Sequence, residues 1–184
     1  MNSIELMVQE HDYIKRMLVV VRKACYKILK GEDICFEDFE KMVDFIQNYA
    51  DKHHHGKEEK FLFQEMMDSL GDLGVKLVRN GMLVEHDLGR LFIKELCDAI
   101  ERVKQNDEES KLDVIANAIS YTHLLNRHID KENDVIYPFG QKQLTKELMD
   151  KVNQNSLEFE EEATKQGFQN RYIQLLEELE KKYI

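Results

Sequence analysis

Residues 53–59 read HHHGKEE. Three histidines followed by two glutamates make either a solvated polar cluster or part of a metal site, and spacing decides between them. His54 and Glu58 are four residues apart, so on an α-helix they share one face. The same pair recurs as His128 and Glu132 within RHIDKEN, residues 127–133. A helix-spaced pair used twice points to long helices that bring these side chains to one place.

The flanking sequence supports that reading. Phe39, Val43, Ile46 and Ala50 lead into His54 in steps of three and four, and Phe61 continues the stripe, which predicts a helix from about Phe36 toward Leu70. Val114, Ala118, Tyr121 and Leu125 lead into His128 in the same way, followed by Val135 and Phe139, with Pro138 limiting the helix. Two further stripes precede these partners: Ile4, Met7, His11, Ile14, Leu18, Val21, Cys25 and Ile28, ending near Gly31, and Met82, His86, Gly89, Ile93, Leu96, Ile100 and Val103, ending in the polar NDEES at 106–110. Gly71 and Gly74 mark the turn between the second and third helices. Each stripe contains one histidine.

Short connections between long amphipathic helices favour an all-α, antiparallel up-down four-helix bundle, so residues equidistant from a turn share one height. With the first turn near residue 33, His11 lies 22 residues before it and His54 21 after; with the third near 107, His86 and His128 each lie 21 away. All four fall on one level, and Glu58 and Glu132 sit one turn beyond. EHD also occurs at both 10–12 and 85–87, so two similar hairpins would meet about a pseudo-twofold axis.

His11, His54, Glu58, His86, His128 and Glu132 are therefore the candidate metal ligands. An isolated histidine match is more often a core or surface histidine, but six side chains at matching heights reverse that preference. Burying them without partners would cost a few kcal/mol or more each, whereas one or two cations would satisfy them together. Imidazole and carboxylate without thiolate suit iron, manganese or zinc. Six ligands divide into two halves with Glu58 and Glu132 placed to bridge, which favours two metals. The positions left over suit an oxide, hydroxide, peroxide or nitrosyl ligand.

Composition narrows the rest. The chain has 184 residues, one proline, eight glycines and a formal charge of -10. That balance disfavours nucleic acid and anionic membrane surfaces as partners. The longest wholly apolar run, Met17 to Val21, is too short to cross a bilayer, and MNSIELMVQEHD lacks signal-peptide order, so a cytoplasmic location is expected. Cys25, Cys35 and Cys97 form no C-x-x-C pair and read as free thiols.

Other polar residues near the site carry weaker signals. His123 lies short of the histidine level and off the stripe, and reads as peripheral. His53 and His55 flank His54 at about 100° each, so His53 points away while His55 could approach a metal or orient a ligand. Glu10, Glu59 and Glu85 adjoin candidate ligands and either orient them or line a solvated face. Tyr121 reads as core. Residues 144–152 and 168–179 suggest two more amphipathic helices broken near Gly167, and the acidic EFEEEA at 158–163 reads as a solvated face rather than an iron-entry patch.

EHD around His11, HHGKEEKFLF around His54 and Glu58, EHDLGR around His86, and HIDKENDVIYPF around His128 and Glu132 carry a family resemblance. With these motifs, residues 4–140 resemble the hemerythrin-like HHE family of non-haem di-iron proteins. The resemblance implies a bundle at 1–140 around two iron ions, oxo- or hydroxo-bridged, that meets dioxygen or a related small oxidant, with 141–184 as a helical extension packed on it. Hemerythrins proper resemble the chain less well: they carry a fifth histidine four residues after the one matching His86, where this chain has Arg90. That departure predicts an undersaturated centre and argues against reversible dioxygen carriage. Three functions stay open: binding or sensing dioxygen, peroxide or nitric oxide; an enzyme reducing peroxide or nitric oxide or supporting iron-sulfur repair; and iron storage or iron-responsive interaction. Sensing would need a separate signalling partner and turnover a separate reductant.

Overall fold

The computed structural model describes residues 2–184, with Met1 outside them, and the described residues contain helices and no strand. Helix α1 spans Ser3–Leu29 and opens on a capping box in which Asn2 accepts from the Glu5 N–H and Glu5 accepts from the Asn2 N–H. It stops at Gly31, whose φ of 91° takes the left-handed conformation that ends helices at low cost in glycine. Helix α2 covers 36–69. Its α-helical ends, Phe36–Asp44 and Phe63–Ser69, flank π-helical stretches at Phe45–His55 and Glu58–Leu62.

Helix α3 covers 71–104, with a π turn at Val78–Met82. Gly71 makes the corner, with φ of 60°. Gly74 does not belong to the turn: it lies within α3, where a Cβ would fall 2.2 Å from the Met66 carbonyl oxygen. Glycine is needed there because the two helices approach backbone to backbone. Helix α4 covers 111–143, built from Lys111–Lys131, a π turn at Glu132–Ile136, and Tyr137–Gln143. Pro138 does not end it, because the proline sits in the first turn after the π turn, where a missing N–H is tolerated.

Two C-terminal helices follow, α5 at Lys146–Lys165 and α6 at Phe168–Tyr183, joined at Gly167 with φ of 67°. Tyr172, Leu176 and Leu179 of α6 complete the larger apolar cluster, which also takes Ile14, Leu18, Phe45, Ile46, Ile93 and Leu125 from the bundle. Val152 of α5 joins a smaller cluster with Ile4, Met7, Leu62, Met66, Met82 and Ile136. Along each of α1 to α4 the candidate ligands fall between the residues of these two clusters. Each buried aliphatic side chain contributes about 1.5–3 kcal/mol, and that packing carries the polar layer between them. Among the described residues, no helix is long and apolar enough to cross a membrane.

Candidate metal centre

Helix α1 supplies His11, α2 supplies His54, His55 and Glu58, α3 supplies His86, and α4 supplies His128 and Glu132; none is more than 5% exposed. Their ligand atoms form two groups, each with its atoms within 4.8 Å of one another: His55, Glu58, His86 and His128, and His11, His54, Glu58 and Glu132. Glu58 belongs to both, with Oε2 3.8 Å from His54 Nε2 and 3.6 Å from His86 Nε2. Glu132 spans the halves with separate oxygens. Its Oε2 lies 3.3 Å from His11 Nε2, and its Oε1 lies 3.0 Å from His128 Nε2. All six sequence-derived candidates thus meet in one buried layer.

Outer partners set the direction of each ring. Nδ1 of His54 bonds Glu10 at 2.8 Å, that of His86 bonds Glu59 at 2.7 Å, and that of His128 bonds Glu85 at 2.9 Å. His55 Nδ1 meets Asp51 at 3.3 Å, and His11 Nδ1 meets the Asn133 side-chain oxygen at 2.8 Å. Each of these oxygens accepts, so Nδ1 carries a hydrogen and Nε2 faces inward. Tyr137 donates to Glu58 Oε1 and fixes that carboxylate.

The interior is left short of positive charge. His54 Nε2, Glu58 Oε2 and both oxygens of Glu132 are buried without an aligned hydrogen bond. Such orphans are rare in folded proteins and destabilise by roughly 1–3 kcal/mol each, more when charged. His86 Nε2 and His128 Nε2 also face each other at 3.0 Å. Burial disfavours charge on His128, but Glu132 and Glu85 outweigh it and push its pKa up to about 9. Burial, reinforced by the neighbouring Glu132 charge, holds Glu58 well above the usual carboxylate range. Glu132 moves the other way: burial opposes its charge, yet His128 and the surrounding imidazoles keep it ionised. Protons on His128 and Glu58 thereby take places that cations would fill. Burial, with His11 adding to it, lowers His54 to about 4, and burial with His86 lowers His55, so both rings stay neutral and able to ligate. The residues therefore fit a pair of cations held by nitrogen and oxygen.

His55, which the sequence allows to approach a metal or orient a ligand, is grouped with Glu58, His86 and His128. Its ring stacks on that of His86 with centroids 3.8 Å apart. Where Arg90 replaces a histidine on α3, a fifth imidazole faces the layer from α2 instead. Arg90 lies outside, where its guanidinium bonds Asp51, Glu59 and Asp87 and so ties together the carboxylates that hold His55 and His86. A cavity of about 290 Å³ opens beside these residues, lined by Asp51, His55, His86, Gly89, Arg90 and Tyr121. Tyr121 is also part of the larger core cluster.

The remaining histidines lie apart. His53 points away from the layer, its Nε2 2.9 Å from Glu160 on α5. With Glu10 and Glu160 it forms a third group of metal-ligand type, but the Lys57 ammonium already bonds both carboxylates there. A fixed lysine charge does what a cation would do. His123 lies near Arg22, 3.5 Å from its guanidinium, beside a separate groove toward the other end of α1. Of the acidic run at 158–163, Glu158, Glu161 and Glu162 are exposed, as expected, while Glu160 turns inward.

The sequence reading missed Tyr137, Lys57 and Asn133. Their only signal was position, since each lies within five residues of a candidate ligand inside the quoted motifs. A family model described as the hemerythrin HHE cation binding domain matches residues 2–139. No curated protein and no solved structure matches the chain.

Proposed function

The chain belongs to the hemerythrin HHE cation-binding family, and from that premise we propose that it holds two non-haem iron ions and binds or senses dioxygen or a related small oxidant such as peroxide or nitric oxide. One observation carries the reading: two groups of inward-facing nitrogen and oxygen atoms share Glu58, and the orphaned atoms lie in those groups. His55, His86 and His128 would serve one ion and His11 and His54 the other, with Glu58 and Glu132 as bridges. Iron bound there would supply redox change and open positions for a small oxidant.

The chain's own residues prepare the rest. Glu10, Asp51, Glu59 and Glu85 fix the tautomers that present Nε2, and raise the basicity of those rings. Tyr137 restrains one oxygen of Glu58 and leaves the other directed between the halves. Apolar clusters above and below keep bulk water out of the layer.

Metal analysis of protein loaded anaerobically with ferrous iron should find close to two irons per chain. A single tightly held zinc without iron uptake would reject the reading. Stopped-flow absorbance of the reduced, loaded chain mixed with dioxygen, peroxide or nitric oxide then identifies the oxidant. A second reading, turnover of these same oxidants, is favoured by the cavity of about 290 Å³ beside His55 and His86, which exceeds what a diatomic molecule fills. Repeated consumption of oxidant with added reductant would select it.

A further inference from the structure

The charged side chains around Lys57 form a second buried cluster, of which the iron reading uses only Glu10. Lys57 precedes Glu58 on α2, yet its side chain is fully enclosed, at 0% exposure. Its ammonium donates to Oε1 of Glu10 and to Oε1 of Glu160, and lies 3.3 Å from His53 Nε2. An enclosed ammonium is tolerated only when paired, and here the partners come from α1 and α5. The other oxygen of Glu10 bonds His54 Nδ1 at 2.8 Å. An unbroken series of contacts therefore runs from Glu160 through Lys57 and Glu10 to His54. Glu160 is itself held: Gln169 of α6 donates to its Oε2 at 2.7 Å, and Phe159 and Phe168 pack on the neighbouring His53 ring.

We propose that Glu160 is a positioning residue for His54, acting through Lys57 and Glu10. By sharing the lysine charge, Glu160 leaves Glu10 Oε2 free to hold the Nδ1 hydrogen of His54, and so sets the direction and basicity of Nε2. Without it, Lys57 would draw Glu10 to itself and the bond to His54 would weaken. The C-terminal helices then belong to the centre rather than merely covering it. The consequence for iron rests on the reading of His54 as a ligand; the contact itself does not.

Ring-nitrogen NMR of the full, metal-free chain tests the contact. In Glu160→Gln, the His54 Nδ1 signal should move while that of His86, held by Glu59, stays. Glu160→Asp, which keeps the charge, and Glu161→Gln, an exposed neighbour on the same helix, should both leave His54 at its wild-type position. The double variant Lys57→Met/Glu160→Gln should bring the signal back toward wild type, because no ammonium then competes for Glu10. After iron loading, Glu160→Gln should release iron to a chelator about tenfold faster, the low end of the effect of losing an outer partner. An unmoved His54 signal in folded Glu160→Gln overturns the proposal, as does a signal equally displaced in Glu161→Gln. If the wild-type chain takes up no iron, the proposed function fails, while the His54 signal still decides whether Glu160 acts on that ring.

Discussion

On the His54 side of the centre, the partners of the ring are themselves buried: Glu10 is 4% exposed and Lys57 0%. On the side of His55, His86 and His128, the corresponding carboxylates reach toward solvent, with Asp51 26%, Glu59 30% and Glu85 20% exposed. Arg90 holds the first two and Lys131 the third. His54 on one side and the three imidazoles on the other are oriented by carboxylates backed by a cation, while His11 meets the neutral Asn133. The two sides differ in the dielectric around that backing. An enclosed pair is screened little by salt, whereas a half-exposed one weakens as ionic strength rises. The open side also adjoins the cavity, so the same molecule has a fixed half and an adjustable half.

The most severe test removes a carboxylate that faces both halves. Glu132→Ala should drop the iron-to-protein ratio to near zero, since Glu132 faces His11 with one oxygen and His128 with the other. Retention of one full equivalent would show the halves to be independent. Next in size, His54→Ala and His55→Ala should each take the ratio from two toward one. Iron retained at two equivalents in His55→Ala would restrict the ligand set to the six residues read from the sequence.

The metal-free chain gives a third test, in the stability of the open half. His128 has a folded pKa raised to about 9 against about 6.5 for a free histidine. The stability it contributes is fully present below about pH 6.5 and lost as pH rises through about 9, on the order of 3 kcal/mol. Glu58, raised by burial and Glu132, acts in the same direction. Denaturant unfolding should therefore show the metal-free chain weakening between pH 6.5 and 9, and the iron-loaded chain, whose cations displace those protons, remaining level. A flat profile without metal would reassign the proton.

Smaller effects separate the two kinds of backing. Arg90→Gln should speed iron release about tenfold, and the difference from wild type should shrink in high salt, because high salt already screens the wild-type guanidinium. Glu10→Gln should speed release by a similar factor at every salt concentration. Identical salt profiles would erase the distinction between the halves. His123→Ala, near the far end of α1, should change iron content by nothing measurable, and any loss there would mean that the outlying groove communicates with the centre.

The helical architecture and the meeting of His11, His54, Glu58, His86, His128 and Glu132 were legible because helix rise and turn position set the height of a residue whatever its side-chain contacts. The sequence left His55 open between approaching a metal and orienting a ligand, because that choice depends on angle rather than height. His55 follows His54 within a π-helical stretch, where each turn holds more residues and neighbours are separated by less than the 100° of an α-helix. Two adjacent rings can then face one layer. Pro138 does not end α4 because it falls in the first turn after the π turn, a break that spacing along the sequence does not reveal. Glu160 reads as part of a solvated face and Lys57 carries no reading, because charge in a sequence carries no sign of burial, and the docking of α5 brings the two together.

The inward-facing atoms come from all four helices of the bundle, and each of the two groups takes its atoms from three of them, so an ion seated in either group would link three segments distant in sequence. It could leave only when several of those links opened together. Departure would require local opening of the helices as well as the breaking of individual bonds. Occupancy would then be a matter of time as much as of affinity: a chain loaded once could keep its ions through passing shortages of free metal.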